Sequence, residues 1–142
     1  MWHEINGPED IRFFMEQFDC FHDSCLTEMQ YVSGAYVADD LSMHPVNDQR
    51  RLRVVIQTQL AGKRTVELLF EGLRYLHLAP VDDRYTCEIL GASLFEVDGC
   101  YYWCDADSLS KDDFAQYDGT IVCSEKLCWR ALCDTACLDT CL

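Results

Sequence analysis

Positive charge is scarce in this chain: 11 Lys and Arg stand against 25 Asp and Glu, giving a formal net charge of −14 and a sequence pI of about 4.4. No stretch gathers more than two or three cations. Nucleic acid, whose binding draws its affinity from Lys and Arg on phosphates, is therefore excluded as a partner, and an anionic membrane surface is opposed by the same repulsion. Long apolar runs are missing as well. The longest stop at four or five residues, far short of the roughly 18 that cross a bilayer. Residues 1–20 carry Glu4, Glu9, Asp10, Glu16 and Asp19 and no basic stretch leading into an apolar core, so no secretory signal is expected and a cytoplasmic location follows. Cys-x-x-Cys is absent, which counts against zinc ribbons and fingers. A Gly-rich phosphate loop, HExxH, GxSxG and a calcium loop are also absent, and no cofactor is assigned.

What the chain does contain is enough apolar material to fold. Its 142 residues are 49% hydrophobic and 12% aromatic, which fits a single domain. The globular unit is expected over residues 1–132, followed by a Cys-rich and disordered tail over 133–142. Of the ten cysteines, Cys133, Cys137 and Cys141 recur at i, i+4, i+8, one helical face on which three thiolates can hold a metal. The simpler reading is that reduced Cys serves as a small hydrophobe.

Helical periodicity is confined to the N-terminal part. Asn6-Gly7-Pro8-Glu9-Asp10 has the proline and early acids of a helix entry. Ile11, Phe14, Met15 and Phe18 then form one apolar stripe. From Cys25 onward the period changes to two. Leu52, Val54, Ile56, Thr58 and Leu60 alternate with polar neighbours, and Val66, Leu68 and Phe70 do the same beyond Ala61-Gly62-Lys63-Arg64, which predicts a hairpin with Glu67 on its solvated side. Leu73 to Leu78 continues that strand or bends at Gly72, and Pro80 ends it. Asp98-Gly99 joins a run from Tyr85 to Val97 with another from Cys100 to Asp105 as a second hairpin. Residues 108–117 read as a loop or one helical turn, with Ser110 as a cap. The last strand is predicted over Thr120 to Leu132, with Ile121, Cys123, Leu127 and Trp129 on one face. The sum is an α+β fold: a short N-terminal helix packed on a curved, mainly antiparallel sheet of six or seven strands, a meander or partial barrel.

Three places stand out for function. The 33–48 segment is long for a loop in so compact a chain and is marked as one rim of a binding surface. His22 and Asp23, with Cys25 beside them, have the makings of an acid/base or Cys/His pair in a cleft. The alternative is a turn in which His22 fixes the helix-to-strand corner. Tyr101 and Trp103, with Asp105 and Asp107 beyond, form an aromatic platform with an acidic edge if they face solvent, and ordinary cross-strand packing if they do not. The dispersed histidines His3, His44 and His77 suggest no metal site.

Phe21-His22-Asp23-Ser24, placed between a short helix and an antiparallel meander, resembles the start of small bacterial proteins that include immunity proteins of polymorphic toxin systems. The resemblance covers these four residues and the order of elements. It implies a cytoplasmic, non-enzymatic protein that captures a partner through an acidic surface. Charge points the same way, because a −14 chain is steered toward basic proteins. Two expectations follow: a non-catalytic, acidic protein-binding chain using the acidic loops and the Tyr101/Trp103 patch, or a small ligand-binding domain or enzyme built on a cleft with His22, Asp23 and Asp105.

Overall fold

The computed structural model of the chain describes residues 1–79 and 86–132. Pro80, the Asp82-Asp83 pair, Tyr85 and the tail with its Cys133, Cys137 and Cys141 stripe lie outside the described residues. Strand β1 (His3–Glu4) is followed by helix α1 (Pro8–Gln17), as the proline and early acids predict. The Asp10 carboxylate accepts the Asn6 N–H at 2.8 Å, satisfying a donor just ahead of the helix. The apolar stripe is the buried one: Phe14, Met15 and Phe18 are enclosed and Ile11 packs against them.

The strands are β2 (Ser24–Val32), β3 (Tyr36–Val37), β4 (Met43–His44), β5 (Arg51–Gln57), β6 (Thr65–His77), β7 (Glu88–Ile89), β8 (Ser93–Val97), β9 (Cys100–Cys104) and β10 (Ile121–Leu132). All but β3 and β4 join one antiparallel sheet in the order β7-β2-β5-β6-β10-β9-β8, with β1 beside the C-terminal half of β10. The expected α+β class and curved sheet are what the chain adopts. Curvature follows from connectivity. The outermost strands β7 and β8 are separated only by Leu90, Gly91 and Ala92, a link that spans at most roughly 14 Å. A flat sheet of this width would hold its edges roughly 29 Å apart. The sheet therefore curls into a half-barrel, and α1 fills its hollow. Phe14, Phe18, Phe21, Trp103 and Trp129 meet there, with Phe18 and Phe21 stacked at 5.5 Å and Phe18 edge-on to Trp129 at 5.3 Å.

Both predicted hairpins form. Gln57 pairs with Thr65 across the Ala61-Gly62-Lys63-Arg64 turn. At the second, Asp98 (φ 52) and Gly99 (φ 79) both adopt the left-handed conformation of a tight hairpin turn, setting Val97 opposite Cys100. Strand β6 continues through Gly72, whose φ of 64 bends it, and the register with β10 slips just beyond: Cys123 pairs with Tyr75 and Ser124 with Leu73, so Arg74 is an extra residue on β6. The predicted face of β10 is corrected as well. Val122 joins the core with Leu127 and Trp129, whereas Ile121 and Cys123 are buried outside the main cluster.

Glu67 is a second correction. It is only 3% exposed, because two guanidiniums close over it. Arg53 Nε donates to Oε1 at 2.7 Å, and Arg130 donates through Nε at 2.9 Å and Nη2 at 2.8 Å to Oε2. Arg130 in turn lies 4.5 Å from the ring of Trp2, which covers this outer face.

Candidate functional site

The segment expected to be a long loop is instead a built arm. Beyond β2 the chain turns at Ser33-Gly34, runs out along β3, turns at Ala38–Ser42 and returns along β4. The two-stranded ribbon is separate from the main sheet, with Tyr36 opposite His44 and Val37 opposite Met43. Its base is fixed by backbone bonds from Gln49 and Arg50 N–H to the Ser33 carbonyl at 2.9 and 3.2 Å, and by Tyr31 Oη donating to Asn47 at 2.9 Å. Gly34 is required there: its φ is +100, and a Cβ would collide with the Asp48 carboxylate. At the tip, Asp40 accepts from the Ser42 N–H at 3.0 Å and the Ser42 hydroxyl at 2.6 Å, and these bonds hold its carboxyl below the usual carboxylate range. The Tyr36 and His44 rings stack at 4.6 Å.

What this ordered ribbon presents is unusual for a free surface. Tyr36, Val37 and Val46 are each 59% exposed, Met43 71% and Leu41 83%. Tyr31 and Val32 extend the apolar strip onto the adjoining end of β2. Across residues 33–49 the charged side chains are Asp39, Asp40 and Asp48, with no Lys or Arg. Exposed apolar side chains gathered on one arm and flanked by one sign of charge are the mark of an interaction site. A shorter loop would have left these side chains without the backbone pairing that displays them.

The other expected positions are dispersed by the fold. His22 and Asp23 do pair, Nδ1 to Oδ2 at 3.1 Å, but on the outside, 59% and 46% exposed. Their corner is set by its neighbours. Asp19, Cys20, Phe21 and Asp23 all have φ between 49 and 58, a left-handed run that costs roughly 1–2 kcal/mol per residue. That run rotates Phe21 into the aromatic core while His22 and Asp23 point out, and burial of Phe21 helps to offset it. Ser24 is buried, and its hydroxyl, like the Trp103 indole N–H, has no hydrogen-bond partner among the described residues.

Tyr101 (8% exposed) and Trp103 (1%) belong to the core. This corrects the exposed aromatic platform: strand alternation points both into the hollow. The aromatic cluster on the opposite face is Tyr102 with Phe95 at 5.5 Å and Phe114 at 4.6 Å. The Asp98-Gly99 turn already implies the Phe95–Tyr102 pairing. Asp105 and Asp107 part company too. Asp107 is exposed beside Gly91, whereas Asp105 is 6% exposed. Asp105 Oδ1 accepts the Tyr117 hydroxyl and the Thr120 N–H, the latter at 3.1 Å. Ser110 opens the turn that leads into a short 3₁₀ turn over Phe114–Gln116: its hydroxyl accepts the Asp112 N–H at 3.4 Å, and its hydroxyl and N–H donate to Asp113 at 2.9 and 3.0 Å.

The histidines also find structural partners. His77 Nδ1 donates to the Gly119 carbonyl at 2.7 Å, and His3 stacks on Trp129 at 4.4 Å within paired β1. Among the described residues no group of three His, Cys, Asp or Glu side chains is placed to hold a metal ion. No helix there is long and apolar enough to cross a membrane. The chain matches no protein-family model, no curated protein and no solved structure.

Proposed function

We propose that the chain is a non-catalytic, cytoplasmic binding protein that captures a basic protein partner through the 33–49 arm. The observation that carries this reading is the arm itself: an ordered β-ribbon displaying five exposed apolar side chains, Tyr36, Val37, Leu41, Met43 and Val46, among carboxylates alone. Apolar anchors supply affinity, and one-signed charge supplies steering and partner choice. A second copy of this chain is a poor occupant, because two arms would bring Asp39, Asp40 and Asp48 against their equals. The resemblance of Phe21-His22-Asp23-Ser24 to immunity proteins supports the same class of partner, a toxin with a cationic working surface.

The rival reading, an enzyme or ligand-binding cleft on His22 and Asp23, has less support, because that pair is half-exposed. The test is recovery of tagged chain from its own cells, compared with a Tyr36→Ser, Asp39→Ser, Asp40→Ser, Met43→Ser variant. A basic protein retained by the wild type, released by salt and lost with the variant is the expected result. Equal retention by the variant, or an acidic partner held through high salt, overturns the reading.

A further inference from the structure

A cavity of about 290 Å³ has as its walls Leu26 on β2, Ile89 on β7, and Leu78 and Ala79 just beyond β6. Its polar lining comes from Thr86, Glu88, Asp105 and Thr120. Thr120 is spent within the protein, since its hydroxyl exchanges bonds with the Ala79 backbone, donating to the carbonyl at 2.8 Å and accepting the N–H at 3.1 Å. Asp105 is not. Both of its donors, Tyr117 and Thr120 N–H, go to Oδ1, and Oδ2 has no hydrogen-bond donor among the described residues. A nine-tenths buried carboxylate whose second oxygen meets no donor among the described residues, set in an apolar wall, favours an occupant that brings a donor or a cation.

We infer that this cavity is a binding site for a small aliphatic amine, with the ammonium on Asp105 Oδ2 and the hydrocarbon chain along Leu26, Leu78 and Ile89. Anionic heads are repelled by the carboxylate. A neutral apolar molecule leaves Oδ2 desolvated and without a donor, whereas an ammonium supplies charge and N–H together. The volume equals about ten molecules of liquid water, which admits a head group and a short chain. This site is independent of the arm and of the protein partner proposed for it.

The experiment is calorimetric titration of the full chain with octylamine, 1-octanol and octanoate, with methyl NMR following Leu26 and Ile89. Octylamine should bind saturably with shifts at both methyl groups, at least about tenfold tighter than octanol, and octanoate should not compete. Asp105→Asn should erase the amine preference while octanol binding persists. Leu26→Trp, which fills the cavity without touching the carboxylate, should abolish both. Absence of saturable octylamine binding, or equal affinity for amine and alcohol in the wild type, overturns the inference, and that comparison stands even where Asp105→Asn fails to fold.

Discussion

Tyr117 donates its hydroxyl to Asp105, and the oxygen that receives it also takes the Thr120 N–H at 3.1 Å, so one carboxylate ties together both ends of the loop between β9 and β10. Burial, and then the carboxylate itself, push the Tyr117 hydroxyl well above its ordinary range, so it remains a donor at every physiological pH. Tyr117→Phe removes this donor from a buried acceptor and should destabilise the fold by about 1–3 kcal/mol. Urea unfolding followed by tryptophan fluorescence reads this directly, and an unchanged midpoint contradicts the role.

The Arg53–Glu67–Arg130 cluster invites a different substitution. Glu67→Gln keeps the shape and removes the charge that both guanidiniums share. The arginines are 32% and 38% exposed, so water can replace part of what is lost. The expected cost is about 1–3 kcal/mol, reduced in high salt because the pairs themselves are screened. A loss unaffected by salt would show that Glu67 acts through packing alone.

Ser24→Ala has the opposite sign. The Ser24 hydroxyl is buried with no partner among the described residues, and removing an unsatisfied polar atom should leave stability unchanged or raise it by up to about 1 kcal/mol. A lower thermal midpoint for the alanine variant contradicts this.

The described cysteines should separate by reactivity. Cys20, Cys25 and Cys87 are exposed, whereas burial pushes the Cys104 thiol up to about 12. Iodoacetamide near pH 8 should modify the first three and spare Cys104 until the protein unfolds. The folded state holds the Cys104 proton more tightly than the unfolded state does. Its contribution to stability is thus complete below about pH 9 and is lost as pH rises toward 12. Alkaline unfolding that begins in this window, and begins later in Cys104→Ala, is the expected outcome.

Much of the fold is legible in the residues because the relevant signals are local. The α1 stripe, the Asp98-Gly99 turn and the Leu52-Val54-Ile56 alternation each specify their element without reference to distant chain. Where expectation fails, a long-range contact decides. Glu67 looks solvated until Arg130, far along the chain, folds over it. The face of β10 is legible only after its cross-strand partners are known, because Val122 lies opposite Trp103 on β9 and Leu127 opposite Phe70 on β6. Tyr101 and Trp103 alternate correctly, but which face lies inward depends on where α1 packs. The arm shows the same limit. Its length signals a surface, yet the paired backbone that displays Tyr36 and Met43 depends on Ser33 meeting Gln49 and Arg50.

Capture of a basic protein by the arm is tested most directly by photo-crosslinking in the native cell, with p-benzoylphenylalanine in place of Leu41 at the arm tip and, as a control, in place of exposed Lys111. A Leu41-dependent adduct with a basic protein, absent from the Lys111 position and lost when Asp39 and Asp40 are changed to Ser, is the predicted result. An adduct with a second copy of this chain, or none from the arm, would contradict it.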